Sequence, residues 1–575
     1  MPAIRRQHRH PRRLGALFWD GKDRLSLHNS ARRFSQDLRG LRSSDRLLQM
    51  TEVIDEDNLQ SPLSQPPLWI LGLKMLIFGI IGSGVGWLAF HAKLGLMPSI
   101  IVAVAVAGVG LYAALKLAGS PRDLWYTFSL KFFSVTAYKL ITVVLVSYLM
   151  KDCGVKDSQA QWLFGIWGMF MSISTLLSGS LTDALGLRRT LLIGLTLCLA
   201  TRVVMIVSSN TWVVLGCGLI PLALGEALCT PVLVAATRRY TSTAQRSVAF
   251  SVFYAILNLG FMFAYFVRDG VQSAVANGGG SFLLAGEAMS AQRTLFLVSL
   301  AVELLALPFV LMLRDKQGGV TEAGSNWLGT VKNAANDTFR LFGALFRHKA
   351  FHRLLFFLLL IGLLKIVFNI MDAVLPTFAE REIGVEGAGR VGRLNAVNSI
   401  LIMILAPAVG VLTRKFSAYS MVVFGGFITA MSFIFMVLPA DMFVGMANGG
   451  LGEWFGRGYL EIKGAVHPYL IMILFWQIAF SIGEAFYSPR VYEYAVAIAP
   501  AGQEASYASL SAVPLLMGKL INSAAFAGLL TVFCPATGPR DPGKMWMLIG
   551  LLVLMSPLLL LLLRSFIRVK EEGRE

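Results

Sequence analysis

Ionisable side chains inside apolar runs are the residues of this sequence best placed to do chemistry. Lys131 and Lys139 interrupt the run 125–150, Glu226 stands midway along 211–236, Asp372 lies in 354–378 and Glu484 in 466–488. A charged group in such a setting is costly, and faces a polar interior or a partner rather than lipid. A carboxylate at Glu226 suits a proton carrier, with structural pairing as the equal alternative. Lys131 is placed to form an ion pair with Glu226 or Glu484, and Asp372 to gate a passage or bind a ligand. Tyr254 and Asn258, in the run 247–268, add hydrogen-bonding groups, although asparagine between helices also serves as packing glue. Arg490 and Glu493 suggest a latch at the cytoplasmic end of their helix. Arg202, Glu303, Lys365 and Lys519 read as local pairs.

These residues need helices to hold them. The chain has 575 residues, 55% hydrophobic and 15% charged, with a mean hydropathy of +0.65. Soluble proteins carry about a quarter charged residues, so a soluble enzyme, a disordered regulator and a disulfide scaffold are poor readings. A membrane-spanning helix takes roughly 20 apolar residues. Apolar runs near 68–91, 97–118, 125–150, 158–181, 188–207, 211–236, 247–268, 292–313, 354–378, 391–413, 419–439, 466–488, 503–533 and 544–565 predict fourteen spans. The expected fold class is an all-α polytopic membrane protein.

The charge balance fits the same reading. Lys and Arg number 51 against 33 Asp and Glu, a net charge of +18. Basic residues accumulate in cytoplasmic loops, so nucleic acid is not an expected partner. Arg188 and Arg189, then Arg238, Arg239 and Arg246, then Arg414 and Lys415 fall on one side of the implied topology. The stretch 314–353 adds seven Lys or Arg to that side. Both termini are therefore expected in the cytoplasm, with the cell membrane as the expected location.

Residues 1–67 carry twelve Lys or Arg against eight Asp or Glu. A disordered basic tail near anionic headgroups is the expectation, with an organelle transit peptide as the alternative. Residues 68–118 form an extra helix pair, 119–313 and 354–565 two six-helix bundles, and 566–575 a short cytoplasmic tail. Residues 314–353 form a cytoplasmic linker with an amphipathic helix. Cys153, Cys198, Cys217, Cys229 and Cys534 show no metal-ligand spacing, and a disulfide between Cys153 and Cys534 is left open. No Walker loop, dinucleotide fingerprint, zinc-protease motif or Ser/His/Asp arrangement is visible. No cofactor, metal or enzymatic activity is expected. The lipid bilayer, a small solute and protons are the expected partners.

The most specific motif is Gly179-Ser-Leu-Thr-Asp183-Ala-Leu-Gly186-Leu-Arg188-Arg189. Gly179 permits close helix approach, Gly186 permits a tight turn, and Asp183 can pair with a base or cap a helix. Arg188 and Arg189 hold the loop at the cytoplasmic face. This resembles the signature loop of the major facilitator superfamily, whose transporters rock two six-helix halves about a central site. The second-half counterpart, Gly410-Val-Leu-Thr413-Arg414-Lys415, has threonine in place of the aspartate.

Further stretches resemble the proton-coupled oligopeptide transporter family. They are Phe250-Ser-Val-Phe253-Tyr254-Ala-Ile-Leu-Asn258-Leu-Gly260, Asn398 with Ala406-Pro407, Gly483-Glu484-Ala-Phe-Tyr-Ser488-Pro489, and Glu493-Tyr494-Ala495 followed by Ala499-Pro500. The resemblance implies that Glu484 receives a peptide amino group and that Lys139 is an anion contact. The first and fourth helices depart from the family, and Phe132 stands where the first has an arginine. Lys131 stands where its first helix has a glutamate, and Thr230, before Pro231, stands where its fourth helix has a lysine. The expectation is a secondary active transporter of a small polar organic solute, peptide-like or amino-acid-derived, coupled to protons. Alternatives are a carrier of another substrate, such as a drug, a lipid-like molecule or another metabolite, and a non-transporting receptor or assembly factor.

Overall fold

The computed structural model describes residues 96–117, 119–241, 243–276, 283–284, 287–314, 349–413, 416–497 and 528–567, with isolated positions between 72 and 86 and at 329 and 526. The expected tail, most of the 68–91 span, most of the 314–353 linker and most of the 503–533 span lie outside the described residues. All that follows concerns residues 66–575, which form one compact unit.

Apolar runs become helices because a helix satisfies its own backbone hydrogen bonds without water. In chain order these are α1 (Leu96–Lys116), α2 (Arg122–Thr142), α3 (Leu145–Lys151), α4 (Asp157–Leu185), α5 (Leu187–Val207) and α6 (Ile220–Arg239). They continue with α7 (Thr243–Ala276), α8 (Ala291–Leu304), α9 (Leu307–Met312), α10 (Lys349–Asn369), α11 (Leu375–Glu382) and α12 (Val391–Leu412). The last are α13 (Ala418–Ser432), α14 (Pro468–Ala497) and α15 (Pro542–Leu562). Ten helical segments among the described residues are long and apolar enough to cross a membrane. The runs 158–181 and 391–413 became α4 and α12, of 29 and 22 residues, beyond those ten.

Polar side chains start several helices where the sequence supplies them. Ser290 accepts the Arg293 N–H, Ser417 that of Ser420, and Asp541 that of Lys544. Each satisfies one of the N–H groups that a first turn leaves without a partner. Pro221 and Pro376 stand where a helix resumes after a π-helical stretch, Val214–Leu219 and Ile370–Val374. The stretch 440–465, which connects the runs 419–439 and 466–488, folds into short helical pieces at Ala440–Phe443, Val444–Ala447 and Gly452–Tyr459. The strands among the described residues are a two-residue pair, β1 (Leu283–Leu284) against β2 (Glu287–Ala288).

Packing divides the helices into two groups. In the first, α2 packs on α7 and α8, α5 on α6 and α8, and α4 on α6. In the second, α14 packs on α12 and α13, and α15 on α10 and α13. The groups meet chiefly along α7 and α12, and α1 lies against α7. Charged side chains are inside: Lys131, Lys139, Arg202, Glu226, Asp269, Glu303, Asp372, Arg393 and Glu484 are all buried. Leucine, isoleucine and methionine line the outside, as on α15 at Leu551, Met555, Leu558 and Leu562. An apolar exterior around a polar interior is stable only in lipid.

Candidate functional site

Polar contacts between the two helix groups define the site. Lys139 on α2 points into the Ile370–Val374 π-helical stretch, where its ammonium lies 2.7 Å from each carboxylate oxygen of Asp372. Both residues are buried, and the rings of Phe261 and Tyr265 stand 4.6 and 5.1 Å from the ammonium. The Tyr265 hydroxyl donates to Asp372 at 3.4 Å. Proline at 376 has no N–H to give the carbonyl four residues back, which favours an irregular turn at this point. Side chains take up neighbouring carbonyls: Asn395 donates to Met371 O at 2.8 Å and Gln161 to Ala373 O at 3.4 Å.

A second cross-group contact lies on α7 and α14. The Tyr254 hydroxyl donates to Glu484 at 3.0 Å, and Asn398 of α12 donates to the other carboxylate oxygen at 2.9 Å. Lys365 on α10 donates to Ser488 at 2.8 Å, and Tyr254 also reaches that hydroxyl, at 3.3 Å. The sequence singled out Tyr254 and Glu484; the structure brings them together, with Lys365 and Ser488 beside them. Asn258 is not part of this cluster. Its amide donates to the Tyr254 carbonyl of its own helix at 3.0 Å.

Glu226 is held within the first group. Arg202 of α5 reaches its carboxylate at 2.9 Å and that of Glu303, on α8, at 3.2 Å. The expected pairing of Lys131 with Glu226 or Glu484 is not found. Lys131 instead lies 4.8 Å from the Phe253 ring, and makes no hydrogen bond or ion pair among the described residues. Arginine takes the acid because its planar guanidinium offers several donors in a fixed fork.

At the loop motif, Gly186 joins α4 to α5 with φ 85° and ψ 158°, a conformation closed to residues with a Cβ. Gly179 and Asp183 lie in α4; their side-chain surroundings are outside the description. Arg188 is half-buried and Arg189 exposed in the first turn of α5. Arg490 donates to the Thr413 hydroxyl at 2.8 Å and to its carbonyl at 3.2 Å, tying α14 to the end of α12. The side chain of Glu493, the other half of the expected latch, lies outside the described residues.

Sequence reasoning missed a set of ties at the Lys151 end of the bundles. Lys151 pairs with Glu380 at 2.7 Å, and Arg381 pairs with Asp157. Asp269 of α7 accepts the backbone N–H groups of Gly392 and Arg393 at 2.9 and 2.6 Å, capping α12 from the other group. A Cβ at Gly392 would collide with that carboxylate and with the Tyr265 carbonyl. Sequence held one usable sign: Asp269, like Glu226, is an acid inside an otherwise apolar helix. All five cysteines are free.

The family model described as "Major Facilitator Superfamily" matches residues 127–454. A solved structure of a peptide transporter POT in complex with sulfate shares 18% identity and superposes with a TM-score of 0.59, over 78% of this chain and 96% of that one. A POT family transporter in complex with 5-aminolevulinic acid shares 16% identity at a TM-score of 0.58, over 79% and 98%. A bacterial homologue of the human drug peptide transporters PepT1 and PepT2 shares 16% identity at 0.57, over 78% and 98%. At these identities the likeness is one of fold. No curated protein matches the sequence.

Proposed function

The chain belongs to the Major Facilitator Superfamily, and from that premise we propose that this secondary active transporter moves a small polar organic solute, peptide-like or amino-acid-derived, together with protons. The observation that carries the reading is Glu484, a buried carboxylate that accepts from Tyr254 of the opposite helix group at 3.0 Å. An acid shared between two halves that must part can respond both to a proton and to the amino group of a solute. Protonation removes the charge for which a basic or hydroxyl partner is held, which frees the halves to separate. Asp372, on Lys139, offers the same opportunity at the next polar layer, and Glu226 within the first group completes the set of candidate proton carriers.

The cycle that follows is alternating access. In this conformation the halves are tied at the Lys151 end by Lys139–Asp372, Lys151–Glu380, Arg381–Asp157 and the Asp269 cap. Opening that end breaks each of these ties. The basic residues at 188–189, 238–246 and 414–415 support a reading in which the opposite end, both termini and the Gly179–Arg189 loop face the cytoplasm across a cell membrane. The bilayer, the solute and protons are the partners in this reading, with no cofactor and no nucleic acid.

A second substrate reading is supported by one specific observation. Lys131 and Thr230 replace the acid and the lysine of the peptide-transporter pattern, so a different metabolite on the same framework is the alternative. A thermal-shift screen of di- and tripeptides, amino acids and other metabolites on the purified protein, followed by flux of the hits into proteoliposomes, separates the two. Flux that ignores a pH gradient and survives Glu226→Gln, Asp372→Asn and Glu484→Gln together would reject proton coupling at these acids.

A further inference from the structure

The two helix groups carry one device twice. Gly225-Glu226-Ala227-Leu228-Cys229-Thr230-Pro231 in α6 and Gly483-Glu484-Ala485-Phe486-Tyr487-Ser488-Pro489 in α14 share glycine, glutamate, alanine, a hydroxyl residue and proline at identical spacing. Each glycine marks where its helix crosses a neighbour. A Cβ at Gly225 would stand 2.9 Å from the Gly194 carbonyl of α5, and one at Gly483 would stand 2.8 Å from the Gly425 carbonyl of α13. Counting along from those crossing partners, Cys198 corresponds to Thr429 and Arg202 to Phe433.

The copies differ in what surrounds their glutamates. In the second, Glu484 meets the opposite helix group, and Phe433 packs in an apolar nest 5.6 Å from Trp476 and 6.3 Å from Trp546. In the first, Arg202 occupies the Phe433 position, fully buried, and a second acid, Glu303, is buried beside it. The interface between the groups does not account for that second acid, because Arg202, Glu226 and Glu303 are all held inside the first group.

Charge counting points to what Glu303 does. One nitrogen of Arg202, Nη2, stands 2.9 Å from a Glu226 oxygen and 3.2 Å from a Glu303 oxygen. Arg202 Nε donates to Ser299 at 2.9 Å, and the Ser299 hydroxyl donates to the Ala137 carbonyl at 2.8 Å. Neither Glu303 oxygen accepts a hydrogen bond among the described residues, and Arg202 Nη1 donates none. The other titratable groups nearby are Lys131 and Tyr138 on α2, Cys198 on α5 and Cys229 on α6. A dry carboxylate with no donor and a shared counter-charge is strongly disfavoured.

We propose that Glu303 holds a proton, and that Arg202, Glu226 and Glu303 form a proton-holding site inside the first helix group. The guanidinium neutralises the Glu226 carboxylate, and the proton on a Glu303 oxygen neutralises the second acid. Release of that proton to water leaves two carboxylates on one guanidinium. As a station for the transported proton the site rests on the proton-coupled reading above; as a protonated carboxyl group it stands without it.

Infrared spectroscopy of the purified protein tests this with no solute present, so its failure is separate from failure of the transport reading. At neutral pH the wild type should show the C=O stretch of a protonated carboxyl group, shifted in D2O and lost in Glu303→Gln. The glutamine matches the protonated acid in shape and polarity, so that variant should melt with the wild type while Glu226→Gln melts lower. A band that persists in Glu303→Gln, or a Glu303→Gln variant that melts as low as Glu226→Gln or fails to fold, would overturn the assignment.

Discussion

Removing the Asp372 charge should shift the protein away from the conformation seen here. The Lys139 ammonium is bound to both Asp372 oxygens at 2.7 Å and is nearly sealed from solvent. At an effective dielectric constant near 20, such a contact is worth about 6 kcal/mol before desolvation is subtracted. Asp372→Asn leaves Lys139 buried without its counter-charge, a change that typically costs about 3–5 kcal/mol. The cost falls on the state in which the halves are closed over Lys139, since opening lets water reach the ammonium. At the lower figure the closed-to-open ratio falls on the order of 100-fold. Spin labels at Lys151 and Glu380, an exposed pair now 2.7 Å apart, would read that ratio as the fraction of short distances. Asp372→Asn should deplete the short population, and the reversal Lys139→Asp with Asp372→Lys should largely restore it. A short population unchanged by Asp372→Asn would refute the reasoning.

Other expectations concern the framework. Gly186→Ala should destabilise the protein by about 1–3 kcal/mol, because φ 85° with ψ 158° is closed to a residue with a Cβ; an unchanged melting temperature would contradict it. Gly225→Ala should cost about 1–3 kcal/mol, since its Cβ would meet Cys198 Sγ at 2.7 Å and the Gly194 carbonyl at 2.9 Å. Gly216→Ala, with nothing within 4 Å of its Cβ, is the matched control and should melt no lower than the wild type. Burial holds the His467 imidazole below its ordinary value, and its Nδ1 accepts the Tyr469 N–H at 3.3 Å. Its folded value lies below its unfolded one, so its contribution is complete above the unfolded value and is lost as pH falls through the folded one. His467→Gln should therefore flatten the loss of stability from neutral to mildly acidic pH; parallel curves for the two proteins would show that His467 is not its source.

What could be read from the sequence was what is decided locally. Gly186 announced its turn because a positive φ is a property of one residue and its neighbours. The apolar runs announced their helices because each helix closes its own hydrogen bonds. Pairings were harder to read. Lys139 and Asp372 were both visible as intramembrane charges, yet they lie 233 residues apart, and nothing local joins them. Lys131 looked equally well placed for an acid, but Arg202 reaches Glu226 from the adjoining helix and takes that role. Asn258 looked available to a ligand, and instead spends its amide on its own helix. Glu303 read as a local pair, since its burial against a shared arginine becomes visible only once α5, α6 and α8 are packed. The repeated Gly-Glu-Ala…Pro segments of α6 and α14 were legible throughout, and they are the signal that would have paired Glu226 with Glu484 as counterparts.

The claim that the buried charges serve solute movement between two rocking halves is tested most directly by flux. Purified protein in sealed liposomes, given a labelled dipeptide with an imposed pH gradient, should accumulate it above the external concentration. Collapsing the gradient with a protonophore should abolish that accumulation, and Glu484→Gln should uncouple it from pH. Equal entry into protein-free liposomes across the whole panel of peptides, amino acids and metabolites would contradict the account.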